Sequence, residues 1–246
     1  MIIDSHVHLK HGDRAKTEYS PETIVRTMDA VGIEKSVVFA MSTTTARSIE
    51  MAREAVGRYP DRLIPYAYAL PHYQRPVLPE LEEAIVRYGF RGIKIHVGEC
   101  TLASYVVDPV IALAGRHGVP CLIDCAGRDD AIRRLAEAYP ETKLLVAHLG
   151  KYLSTDAELL DRFLDLAVLY PNVLLDVSGV VLLAKIEEAV ARVGPDRVFF
   201  GTDGPHEKPD TIEFARAELD KIRRLSLPPE AKGAILGGNI ARLLDL

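Results

Sequence analysis

The chain has 246 residues, 48% of them hydrophobic and 26% charged, which leaves one large domain or two small ones open and fits a soluble globular protein. No apolar run approaches the roughly 20 residues of a membrane span, and a formal charge of −5 gives no broad positive field for a phosphate backbone, so neither membrane nor nucleic acid is an expected partner. Cys100, Cys121 and Cys125 form no C-x-x-C pair or disulfide framework, and no basic segment precedes an apolar stretch at the N-terminus; a cytoplasmic protein is expected.

In chain order, short β-branched or apolar runs alternate with amphipathic stretches. Strand 2–9 is followed by helix 21–31, strand 35–41 by helix 44–59, strand 63–70 by helix 79–88 and strand 92–97 by helix 108–117. The alternation continues with strand 120–125 and helix 128–139, strand 143–148 and helix 156–170, then strand 172–178 and helix 184–193. Strand 197–202 and helix 207–225 complete it, and a last helix falls in 230–244. Ser20-Pro21-Glu22 supplies an N-cap, a proline at the first helical position and an acid in the first turn. Gly32, Gly57, Gly89, Gly118 and Gly194 fall where left-handed C-caps are wanted. Runs such as Val37-Val38-Phe39-Ala40 and Val198-Phe199-Phe200 are apolar on both faces, as in a parallel sheet covered by helices outside and filled by its own core. With no linker or low-complexity run, the pattern predicts an α/β fold, a single (β/α)8 TIM barrel over 1–246.

The first strand carries Asp4-Ser5-His6-Val7-His8, and side-chain alternation puts His6 and His8 on one face roughly 7 Å apart. Two histidines merely filling a core would each need a separate polar partner; one ion between them satisfies both. Polar residues recur at the same end of later strands: Lys94 and His96, Asp124, His148 and Asp203. Each alone could be a solvated strand end. Converging on one barrel mouth, histidines and carboxylates make a ligand set for zinc, with manganese as the alternative. His72 and Arg75 follow strand three, and Arg75 is a candidate fork for a substrate carboxylate, though an exposed loop arginine reads the same way. His206 belongs to a segment expected to shape the pocket wall.

These segments resemble the amidohydrolase superfamily, in the branch that includes aminocarboxymuconate-semialdehyde decarboxylase. The likeness covers nearly the whole chain. It rests on Asp4-Ser5-His6-Val7-His8, Ala147-His148-Leu149-Gly150, Phe200-Gly201-Thr202-Asp203-Gly204-Pro205 and Gly238-Asn239-Ile240-Ala241-Arg242-Leu243-Leu244, four motifs in the family's order. The resemblance implies that His6, His8 and Asp203 bind a divalent metal, with His148 beside it. It also implies a strand-five histidine, where this chain has Asp124; a carboxylate there can still ligate zinc and suits manganese. Were that strand rotated, Cys125 would face the mouth instead. Some members carry a carboxylated strand-four lysine that bridges two metals. Here His96 lies nearer the strand end on the same face, which places Lys94 a layer deeper, paired with a carboxylate, and leaves His96 better placed to touch substrate or metal.

A metal at the mouth polarises a carbonyl and lowers the pKa of water from about 15.7 toward 7. Asp203 would then act as ligand and general base, and His148 would stabilise an oxyanion or assist the proton transfer. The expected activity is hydrolysis of an amide, lactone or ester bond in a small molecule that can carry a carboxylate. The alternatives are non-oxidative decarboxylation on the same scaffold, metal-independent lactone hydrolysis, and a barrel that only binds a ligand. A small-molecule substrate is the expected partner, and self-association into a homo-oligomer stays open.

Overall fold

Eight strands, each followed by a helix, make up the computed structural model, which describes residues 1–246. The order is β1 (Ile3–Lys10), α1 (Pro21–Val31), β2 (Lys35–Ala40), α2 (Thr45–Arg58), β3 (Leu63–Tyr68), α3 (Leu78–Tyr88), β4 (Gly92–His96) and α4 (Ser104–Arg116). There follow β5 (Cys121–Asp124), α5 (Asp129–Ala138), β6 (Leu144–Val146), α6 (Ala157–Leu169), β7 (Val173–Asp176), α7 (Leu183–Val193), β8 (Val198–Phe199) and α8 (Thr211–Arg224). The chain ends in α9 (Pro229–Gly233) and α10 (Asn239–Leu243), joined by a π-helical turn.

All neighbouring strands pair in parallel, in sequence order. The seam between β8 and β1 is bridged by backbone bonds from Ser5 N to Phe200 O (3.1 Å), Asp203 N to His6 O (2.8 Å) and His8 N to Gly204 O (2.7 Å). The expected (β/α)8 barrel is therefore the observed fold.

Alternate strand residues divide the core in two. Ile3, Phe39, Tyr66, Tyr68, Leu122 and Leu145 fill the barrel, while a larger cluster packs the outer strand faces against the helices. Gly92 faces inward, where an added Cβ would stand 2.4 Å from the Tyr66 ring; its bare backbone lets that buried ring cross the interior. Ile240 and Leu244 join the interior cluster next to Ile3, so the C-terminal segment plugs the end of the barrel where the strands begin. Asn239 Nδ2 fastens the plug by donating to Pro195 O and Val198 O, each at 2.7 Å.

Local signals explain both agreement and departure. Ser20 caps α1 by accepting from Thr23 N, and Gly32 ends it at φ 82°. Gly89 caps α3 in the same left-handed region. Gly57, by contrast, lies inside α2, and Gly194 ends α7 with an extended ψ of 156°. The fourth helix, expected over 108–117, begins earlier, at Ser104, and carries Pro109 inside. Asp108 accepts from Arg134 Nη1 with both its oxygens, at 2.6 and 2.8 Å. Helix α8 starts at Thr211, since Asp210 accepts from Ile212 N and Glu213 N. Strand β6 stops at Val146 because His148 and Leu149 turn to φ 61° and 49°.

Candidate active site

Strand β1 brings the first two histidines to the mouth through an irregularity. Its register against β2 shifts between Asp4 and Val7, so Ile3 and His6, an odd number of positions apart, both face inward. Asp4 turns outward and ties the seam: its carboxylate accepts from His6 N (3.1 Å), Thr202 N (2.9 Å) and Thr202 Oγ1 (2.6 Å). Burial raises the Asp4 pKa to about 7 against the pull of those bonds.

His6 is fully buried. Its Nδ1 lies 2.9 Å from Asp176 Oδ2, and its Nε2 is 3.1 Å from Asp203 Oδ1. His8 Nε2 is 2.9 Å from the same Asp203 oxygen. Phe39 packs against both rings, with centroids 5.6 and 4.6 Å away. Burial depresses the pKa of His6, assisted by Lys94, and that of His8, assisted by His11, so both favour the neutral, ligating form. Asp203 follows β8 at φ 60°. Burial would raise its pKa, yet the nearby His6, His148 and His206 and its hydrogen bond with His8 hold it well below the ordinary carboxylate range.

The remaining strand ends complete the ring. Asp124 Oδ2 lies 3.2 Å from His96 Nε2 and 3.5 Å from His148 Nε2. Asp124, not Cys125, faces the mouth; Cys125 is buried on the outer side, its thiol donating to Gly150 O at 3.4 Å. His148 Nδ1 donates to Ser178 O at 2.8 Å. Burial lowers the His148 pKa, but Asp203, Asp124 and Asp176 outweigh it and raise the value to about 9. Lys94 is fully buried below His96, and its partner is not the expected carboxylate. Its Nζ lies 3.0 Å from His6 Nε2. Burial lowers its pKa while Asp124, Asp203 and Asp176 act to raise it.

A cavity of about 200 Å³ opens above these groups, lined by His8, Lys94, His96, Asp124, His148 and Asp203 together with His11 and Tyr152. Arg75 lies outside that lining, exposed on the β3–α3 loop and paired with Glu80 at 2.8 Å. His72 is exposed beside it, and His117 pairs with Glu82 at 3.2 Å. Sequence reasoning misses two contributors, Asp176 and His11, whereas His206 is expected at the pocket wall. Asp176 shares the inner face of β7 with Leu174 and could have been found by the alternation that singled out His6 and His8. His11 stacks on His8 at 4.3 Å, and His206 lies 4.6 Å from His11; both sit in loops, where no periodicity marks a side chain's direction.

The donor set fits a divalent ion. For bond lengths of about 2.0–2.2 Å, ligand atoms around one ion stand about 2.8–3.1 Å apart in an octahedral set and about 3.3–3.6 Å apart in a tetrahedral one. The Asp203 Oδ1 separations from His6 and His8, 3.1 and 2.9 Å, lie at the octahedral edge and within a small shift of the tetrahedral one. His6 Nδ1 and His148 Nδ1 each donate backward, to Asp176 and to Ser178 O, leaving Nε2 turned into the mouth, the support a ligating histidine requires. His8 lacks this support, since its buried Nδ1 has no partner.

The profile of a family described as Amidohydrolase matches residues 3–246. No curated protein matches the chain by sequence. Among solved structures, 2,6-dihydroxybenzoate decarboxylase from Rhizobium is similar with a TM-score of 0.72 and 17% identity, covering 99% of this chain and 98% of its own. A zinc-bound amidohydrolase from Burkholderia multivorans gives 0.75 and 17%, covering 100% and 99%. A 5-carboxyvanillate decarboxylase from Novosphingobium aromaticivorans, in complex with manganese, gives 0.76 and 17%, covering 100% and 96%. At such identities the likeness speaks for the fold.

Proposed function

Since the chain belongs to the amidohydrolase family, we propose that it is a metal-dependent hydrolase acting on an amide, lactone or ester bond of a small carboxylated molecule. The observation that carries this reading is how Asp203 divides its two oxygens. Oδ1 faces Nε2 of both His6 and His8, whereas Oδ2 is 3.9 Å from His206 Nε2, too far for a hydrogen bond. One oxygen serves a ligated ion and the other remains free for a proton. His6, His8 and Asp203 would hold a zinc or manganese ion, which would supply Lewis acidity and a lowered pKa for water.

Asp203 Oδ2 takes the proton of the attacking water and passes it on to the leaving group. His148, its Nδ1 held by Ser178 O and its Nε2 turned to the mouth beside Asp124, donates to the oxyanion that develops at the carbonyl. His96, partly exposed at the cavity wall, contacts the substrate. The decarboxylases that share the fold support a second reading, in which Asp203 or His148 delivers a proton to the carbon that loses carbon dioxide.

The test reconstitutes the protein with zinc or manganese and screens lactones, esters, amides and carboxylated aromatics, measuring hydrolysis and carbon dioxide release in parallel. Asp203→Asn keeps a coordinating oxygen but cannot take the proton, so turnover should fall on the order of 10²- to 10⁴-fold while metal content, measured in the same sample, survives. Unchanged turnover in the fully metallated variant would assign the base elsewhere, with His148 the first suspect.

A further inference from the structure

Lys94 is the one cation of the mouth whose donors are not used up. An ammonium has three N–H donors, and here a single acceptor, His6 Nε2 at 3.0 Å, is within reach; no carboxylate oxygen lies within 4.0 Å of Nζ. The nearby carboxylates are committed to other groups. Asp176 serves His6 and Ser178, Asp203 Oδ1 serves His8, and Asp124 serves His96 and His148. The Phe39 ring, 5.2 Å from Nζ, offers only its face.

Burying an ammonium with so few partners is costly, yet Lys94 is wholly enclosed and forms part of the wall of the cavity. Its one protein partner is also the atom that would ligate an ion. With His6 Nε2 so engaged, all three donors need another acceptor, and the cavity is the place from which one can come.

We propose that Lys94 anchors a carboxylate of the substrate, holding it in the mouth beside the metal-ligating histidines. A monoanion suits the site better than a phosphate. Asp124 and Asp203 share the cavity wall and repel a second negative charge, and the lining has neither the guanidinium fork nor the helix N-terminus that phosphates favour. The proposal assigns the residue that holds the carboxylate of the substrate class named above. It rests on the mouth being the active site and is independent of which bond is broken.

The experiment uses the zinc-reconstituted full chain and calorimetric titration with benzoate and its neutral isostere benzamide. Wild type should bind benzoate about tenfold or more tighter than benzamide. Lys94→Met, with zinc content verified by elemental analysis, should lose that preference, as should Lys94→Gln. Equal binding of the two probes by wild type overturns the proposal and needs no variant, so it decides even if Lys94→Met fails to fold. A preference that survives in either zinc-loaded variant overturns it too, because the ion alone would then hold the carboxylate. Loss of zinc in both variants overturns it by assigning Lys94 to the ion's site. Binding is read without turnover, so failure to find a hydrolysed substrate leaves this result standing, and loss of the benzoate preference leaves the hydrolase reading standing.

Discussion

Asp176→Asn tests whether the mouth is built to hold an ion, since the residue is fully buried and holds His6 by the ring nitrogen turned away from the mouth. Asp176 Oδ2 accepts from His6 Nδ1 at 2.9 Å, while Oδ1 accepts from Ser178 N at 2.6 Å and Ser178 Oγ at 2.5 Å. Both sides present donors, and asparagine has only one acceptor oxygen. If that oxygen stays with Ser178, the amide N–H₂ faces His6 Nδ1 and drives the imidazole proton to Nε2, removing the ligating lone pair. If it turns to His6, the N–H₂ confronts the Ser178 donors, a buried mismatch of about 1–3 kcal/mol. The first outcome should weaken metal binding by about 10- to 100-fold, which is about 1.4–2.7 kcal/mol; the second should appear as a lower melting temperature. Zinc affinity measured against a competing chelator, with the melting temperature of the same sample, reads both. Zinc affinity within about twofold of wild type, at unchanged stability, would refute the argument that His6 is held as a ligand from behind.

Replacing both His6 and His8 by alanine should abolish bound metal and activity, and chelation should do the same reversibly; full activity with no metal detectable would establish the metal-independent lactonase reading. The folded pKa of His148, about 9, lies above its ordinary 6.5, so the stabilisation it gives metal-free protein is complete below pH 6.5 and lost as pH rises through 9. The melting temperature of chelated wild type should fall across that window and that of His148→Gln should fall less; equal slopes would show that the charge is not held as described. Gly150→Ala puts a side chain at φ 107° with its Cβ 2.1 Å from the Phe163 ring. The cost should reach about 1–3 kcal/mol, each kcal/mol lowering the melting temperature by about 2–4 °C, and an unshifted melt would refute the close packing beneath the His148 loop.

How much could be read from the sequence depended on whether a position is marked locally. Helix α1 has its observed bounds in the sequence because Ser20, Pro21 and Gly32 each act within one turn. The inward pair His6 and His8 was legible from period two, and Asp124 from its place at the end of β5. The bulge that lets Ile3 and His6 face the same way was not, because the spacing of residues does not reveal which strand residue is left unpaired. Nor were the ends of β6 and β8, where His148, Leu149 and Asp203 adopt left-handed φ without being glycine; tertiary contacts impose that conformation against local preference. Lys94 was placed on the correct face but given a carboxylate partner, since the sequence cannot say that Asp124 turns to His96 and His148 instead.

The four family motifs divide by what they touch. His6, His8, His148 and Asp203 supply the nitrogen and oxygen atoms of the mouth. The residues beside them in sequence mostly do something else: Asp4 locks β1 to the chain after β8 through Thr202, Gly150 makes room for Phe163, and Asn239 pins the plug at the opposite end of the barrel. Chemistry and closure are interleaved along the chain because the seam between the first and last strands carries both. Opening that seam would separate Asp203 from His6 and His8 at once, since the backbone bonds Asp203 N to His6 O and His8 N to Gly204 O cross it at the site itself. The ligand geometry is therefore set by barrel closure, and a substitution at Asp4 or Thr202, which contact no cavity atom of these ligands directly, should act on metal affinity and stability together.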